Sequence, residues 1–169
     1  RPQRFKVRTR SYLDSGACVL EVKTRDARGR TVKHREPYDL VWRSELSEQG
    51  RRFVTGVGQA ADVVDALVPM LSTEYRRATL LVDEGSARVT VDTALRWCSP
   101  SGATIALEGM ALIETKTSGR PCSFDRALWL TGRRPITISK YCTGLAALTP
   151  DLPANKWNRV LRTRFRSGA

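Results

Sequence analysis

Residues 4–13, RFKVRTRSYL, place Arg4, Lys6, Arg8 and Arg10 on one parity and Phe5, Val7 and Thr9 on the other. Successive side chains of a β-strand leave opposite faces, so a period of two predicts a strand, here with one cationic face. The cluster Asp14-Ser15-Gly16 supplies turn chemistry, and residues 18–24 (CVLEVKT) alternate again with Glu21 and Lys23 on one side. Beyond a turn containing Gly29, Thr31, Lys33 and Arg35 share a parity, and Pro37 is expected to end the run. Three short antiparallel strands are predicted.

From Leu40 the spacing becomes helical: Trp42, Leu46 and Phe53, then Ala60, Val63, Val64, Leu67, Val68 and Leu71, predict a helical insert over 40–72. Strands return at 74–82 (EYRRATLLV) and 87–94 (ARVTVDTA), with Gly85 in the turn and Arg88, Thr90 and Asp92 on one face. A short strand is expected at 104–107 and another at 110–117 (MALIETKT), where Glu114 and Lys116 share a parity. Residues 121–130 read as helical, 136–141 (ITISKY) as extended, and 155–165 as helical after Pro153. With no linker or low-complexity tract, the 169 residues read as one α+β domain.

The chain carries 29 Lys and Arg against 17 Asp and Glu, a formal net charge of +12. An excess of that size works against compaction and calls for an anionic partner. Cys18, Cys98, Cys122 and Cys142 have neither C-x-x-C spacing nor histidine companions, so they read as idle thiols rather than a metal or redox site. No apolar run approaches the length of a spanning helix, the first ten residues carry no signal-peptide pattern, and a cytoplasmic location is expected.

Alternating charge on a single strand is ordinarily the wet side of a sheet. Here nearly every polar face carries cations and few carboxylates, and such a sheet, if closed into a barrel, would line a lumen with arginine and lysine. Those residues suit a chain of phosphates: Arg offers a planar fork to phosphate oxygens and Lys a compact charge. Phosphoryl transfer needs mainly positioning and charge stabilisation. Glu114, a carboxylate among cations, is either an ion-pair partner or a metal ligand. There is no G-x-x-x-x-G-K-[ST] loop, Gly56-Val57-Gly58 lacks a third glycine, and His34 is the single histidine, which leaves no nucleophile–His–Asp machine. The basic segment 156–166 (KWNRVLRTRFR) reads either as a docking helix packed through Trp157, Val160 and Leu161 or as a nucleic-acid contact.

The pieces VRTRSY from Val7, LEVK from Leu20, TVKHR from Thr31, YRR from Tyr75, ARVTVD from Ala87, IETK from Ile113 and SKY from Ser139, in that order, resemble the VTC domain. That family is the polyphosphate polymerase module of the CYTH-like triphosphate tunnel superfamily. The resemblance implies an eight-stranded antiparallel β-barrel with helices packed outside, and metal-assisted transfer of the ATP γ-phosphate to a polyphosphate chain. It matches Arg8, Arg10, Lys23, Lys33, Arg77, Arg88 and Lys140 to phosphate-binding cations, with Arg8, Arg10 and Lys140 nearest the chemistry, and Glu114 to a glutamate that binds Mn²⁺ or Mg²⁺. Arg35 and Lys116 share the same faces as further substrate-binding positions; Glu21 and Asp92 share them too and could pair with neighbouring cations. The expected partners are ATP and polyphosphate, with nucleic acid disfavoured. Family members begin with additional N-terminal strands, so the chain is expected to be an N-terminally incomplete tunnel domain. Triphosphate hydrolysis on the same fold, and a non-catalytic polyphosphate- or nucleic-acid-binding module, are the competing readings.

Overall fold

Side chains along β2 (Ala17–Arg25) sort by parity: Cys18, Leu20, Val22 and Thr24 are buried on one side, and Glu21 and Lys23 lie on the other. The computed structural model describes residues 4–58 and 60–165. The chain divides into two units, the first ending at Pro69 and the second beginning at Met70.

In the first unit β2 is the centre of a three-stranded antiparallel sheet, between β1 (Lys6–Tyr12) and β3 (Thr31–Tyr38). Val7 pairs with Val22, and Phe5 and Val7 pack with Leu20, Val22 and Tyr38 into an apolar core that α1 (Glu48–Gly56) covers with Val54. Full burial of Leu20, Val22 and Val54 contributes about 1.5–3 kcal/mol each. Ser47 caps α1 by accepting the Gly50 N–H, and the Tyr38 hydroxyl accepts the Ser47 N–H at 2.7 Å. A Cβ at Gly50 would lie 2.7 Å from that hydroxyl, so glycine is what lets the helix approach β3. β3 runs through Pro37 to Tyr38, because an edge strand needs no ladder hydrogen bond on its outer side. The predicted helical insert is one α-helix with short 3₁₀ turns at Leu40–Trp42 and Ala61–Ala66, and residues 67–71 are not helical.

In the second unit β5 (Ala87–Cys98) pairs along its length with β4 (Ser72–Val82), while β7 (Leu112–Lys116) and β6 (Thr104–Leu107) pair with its first and last portions. The β4–β5 register slips between Glu74 and Arg76, where Ala94 takes φ 51°. This bulge inserts one residue into β5, so the face that carries Arg88, Thr90 and Asp92 continues as Leu95 and Trp97. The break in alternation at Ala94 explains why a strand ending there was predicted. Leu95 and Trp97 are buried beneath α3 (Lys140–Leu148): the Trp97 indole N–H donates to the Lys140 carbonyl at 2.9 Å, and a Cβ at Gly144 would overlap the indole ring. Phe165 packs on the same ring with centroids 5.4 Å apart. The remaining helices are α2 (Ser123–Leu130) and α4 (Asn158–Arg164).

The extended segment expected at 136–141 is not formed: Lys140 opens α3, with Ser139 as its cap accepting the Cys142 N–H. Residues 136–138 join no strand pairing and lead into α3, whose first residue is held by Trp97 through the Lys140 carbonyl. Seven strands among the described residues form a three-stranded and a four-stranded antiparallel sheet, and the pairings among them close no barrel. Val160 of α4 is buried, in keeping with a docking helix, while Arg159, Arg162 and Arg164 are exposed; Arg166 lies outside the described residues.

Candidate functional site

Antiparallel register fixes which charges meet. In the first unit Arg8, Glu21 and Arg35 are directly opposed across the three strands, and Lys6, Lys23 and Lys33 form the next row. Opposed residues of antiparallel strands share a face, so a carboxylate sits in the middle of a cationic sheet. Glu21 is 2% exposed, and its oxygens accept from Arg8 Nε and Arg35 Nε, each at 2.7 Å, with Lys23 Nζ at 3.4 Å. Burial pushes its pKa up, but the Arg35 hydrogen bond, the Arg8 and Lys23 charges and the Arg8 hydrogen bond prevail and lower it to about 2. Burial and the Arg8 charge lower the Lys23 pKa, with Glu21 opposing. His34 pairs with Val22 on the apolar side, away from this face.

In the second unit Asp92 is fully buried, and three donors converge on it: Arg77 Nε at 2.6 Å, Arg77 Nη2 at 2.8 Å and Lys140 Nζ at 2.7 Å. Burial raises its pKa, yet the hydrogen bonds from Arg77 and Lys140 and their charges leave it below the ordinary carboxylate range. The Tyr75 ring supports both cations, with Arg77 at 5.0 Å and Lys140 at 5.5 Å from its centroid. Below Arg77 and Asp92 on this face come the rows Thr79, Thr90, Glu114 and then Leu81, Arg88, Lys116. Lys116 lies 3.2 Å from Glu114, and both side chains are about half exposed.

The cations therefore fall into two groups. Arg8, Lys23 and Arg35 are held on Glu21, Arg77 and Lys140 on Asp92, and Lys116 on Glu114. Arg10, Lys33 and Arg88 have no carboxylate partner among the described residues; Arg10 reaches only the Tyr12 hydroxyl at 3.5 Å. A buried carboxylate with several cations fixes their direction while leaving net positive charge and outward N–H groups, which suits an arriving polyanion. Strand parity places Arg8, Lys23, Arg35, Arg77 and Lys116 on these faces, whereas Lys140 arrives from the start of α3. The parity reading left Glu21 and Asp92 as secondary positions, although they are the hubs, and it passed over Tyr75, whose parity with Arg77 two residues later was the available signal.

A family model described as the VTC domain matches residues 1–149. The chain belongs to the VTC domain family. The match spans both carboxylate hubs and Lys140, and leaves α4 beyond its end. VTC membership ties the chain to polyphosphate-related phosphotransferase chemistry. A comparison with curated proteins returned no match. Among the described residues no helix is long and apolar enough to cross a membrane.

No cluster of three or more His, Cys, Asp or Glu capable of caging a metal occurs among the described residues of this VTC chain. Magnesium-type sites, however, commonly use one or two carboxylates and complete the shell with water and substrate phosphates. Glu114 fits that arrangement: it is half exposed, and although burial raises its pKa, the Lys116 hydrogen bond and the Lys116, Lys140 and Arg77 charges together outweigh it and hold the group below the ordinary carboxylate value, so it is ionised at neutral pH. Asp92 does not fit, because both its oxygens are already engaged by cations.

Proposed function

We propose that this chain is a polyphosphate-synthesising phosphotransferase module that passes the γ-phosphoryl group of ATP to the end of a polyphosphate chain. The observation that carries this reading is the Asp92 hub, where Arg77 and Lys140 are pinned in one orientation beside the Glu114 and Arg88 rows. In the transfer a terminal phosphate oxygen of the chain attacks the γ-phosphorus, a new P–O–P bridge forms, the β–γ bridge breaks and ADP leaves. Arg8, Arg10, Arg77 and Lys140 would orient the phosphates and offset the charge on the equatorial oxygens, while Lys23, Lys33, Arg35, Arg88 and Lys116 would hold the chain. Glu114 would hold Mn²⁺ or Mg²⁺, which supplies further charge neutralisation when bound. The closed tunnel implied by the family and a cytoplasmic setting, where ATP is available, belong to the same proposal.

The half-exposure of Glu114 and Lys116 favours one alternative, since water reaches the same face and hydrolysis of a triphosphate would need only that water as nucleophile. Incubation with γ-labelled ATP, Mn²⁺ and a short polyphosphate primer separates the two. Label in chains longer than the primer is expected; label released as free phosphate with ADP and no chain growth would replace the polymerase reading with a triphosphatase.

A further inference from the structure

We propose that the end of α2 and the loop that follows it form a docking site for an anionic lipid surface. Leu130, the last residue of α2, is 89% exposed and Ile136 is 54% exposed, among the most exposed large apolar side chains described. All of residues 130–137 are exposed, Arg133 and Arg134 among them, while Arg126 turns back to donate to the Pro121 carbonyl at 3.2 Å. Residues 126–139 contain three arginines and no acid. Asp125, the nearest carboxylate in sequence, is turned inward, with Oδ1 accepting from Thr115 and Oδ2 from the Cys122 N–H.

The tip is a built turn. Gly132, at φ 76°, lets the Arg133 N–H reach back to the Leu128 carbonyl at 2.9 Å, closing the helix with a glycine cap that presents Leu130 outward. Arg134 lies over the Trp129 ring at 5.7 Å. Trp with Arg at the edge of exposed aliphatic groups is the composition that settles at a bilayer interface, the ring at headgroup depth and the guanidinium among lipid phosphates. Charge complementarity selects an anionic leaflet, and the apolar pair selects a bilayer over a dissolved polyanion, which has nothing for Leu130 and Ile136 to enter. None of Leu130, Arg133, Arg134 and Ile136 is a partner of Asp92, so the surface does not depend on the proposed reaction.

Flotation of the full chain with phosphatidylcholine vesicles, with and without phosphatidylserine, tests the site. Binding is expected only with phosphatidylserine. Leu130→Ser with Ile136→Ser should weaken it about tenfold through lost apolar insertion, and each of Arg133→Gln and Arg134→Gln about fivefold. Bromine-labelled lipid should quench part of the tryptophan emission, and Trp129→Phe should abolish that part. Because Leu130 and Ile136 are exposed, their serine variants retain the fold. Absence of vesicle binding, or binding unchanged by the serine pair, would overturn the proposal. So would vesicle indifference accompanied by saturable tripolyphosphate binding at Arg133 and Arg134.

Discussion

Lys140 reaches Asp92 at 2.7 Å from the first residue of a helix, not from a neighbouring strand. Its position therefore depends on how α3 seats on Trp97, and Gly144 is the point of closest approach. Overpacking at such a contact costs about 1–3 kcal/mol. Gly144→Ala is expected to lower thermal stability by that order and also to weaken tripolyphosphate binding, although residue 144 carries no charge. Unfolding scans and a ligand titration on the same variant check both effects.

The Glu21 hub makes a signed prediction about pH. Its folded pKa, about 2, lies below the ordinary 4.5, so its stabilising contribution is complete above about 4.5 and is lost as the pH falls toward 2. The shift corresponds to about 3 kcal/mol. Glu21→Gln should destabilise the chain by a comparable amount at pH 7, where it strands Arg8 and Arg35, and the gap between variant and native chain should narrow steadily below pH 4.5. Denaturant unfolding at a series of pH values measures this; a gap that stays constant to pH 2 would assign the loss to packing rather than charge.

Glu114 should behave in the opposite manner. Its partner Lys116 is half exposed, so Glu114→Gln is expected to change stability by less than about 1 kcal/mol. Manganese binding in the presence of tripolyphosphate, read by electron paramagnetic resonance, should fall by more than the roughly 10–100-fold typical of losing an outer-shell partner. Phosphoryl transfer should fall with it.

The first sheet was legible because one face of each strand packs on a core, which forces a strict period of two from Phe5 and Val7 to Leu20 and Val22. The cations of that sheet were legible for the same reason. The continuation of β5 was not, since a single inserted residue at Ala94 brings Leu95 and Trp97, of the opposite sequence parity, onto the face of Asp92 and imitates a strand end. Lys140 was assigned to a strand because Ile136, Thr137 and Ile138 favour one locally, whereas the contact of Gly144 with Trp97 is non-local and leaves no periodic trace. The hubs were underrated for an electrostatic reason: a sequence shows that Glu21 and Asp92 share faces with cations, but their burial, which decides whether they organise those cations, comes only with the fold.

The central claim is that each cationic sheet face binds phosphate, and calorimetric titration of tripolyphosphate tests it most directly. Lys33 and Arg88 carry charges with no carboxylate partner among the described residues, so their removal should cost little stability and act on the ligand. Saturable binding is predicted, weakened about tenfold or more by either Lys33→Ala or Arg88→Ala, in line with roughly 1.5–3 kcal/mol for a charge-assisted hydrogen bond, and not displaced by a short DNA duplex. Binding that ignores both substitutions but disappears in Arg159→Ala with Arg162→Ala, and that DNA displaces in a steeply salt-dependent way, would contradict the account and move the anion site to α4.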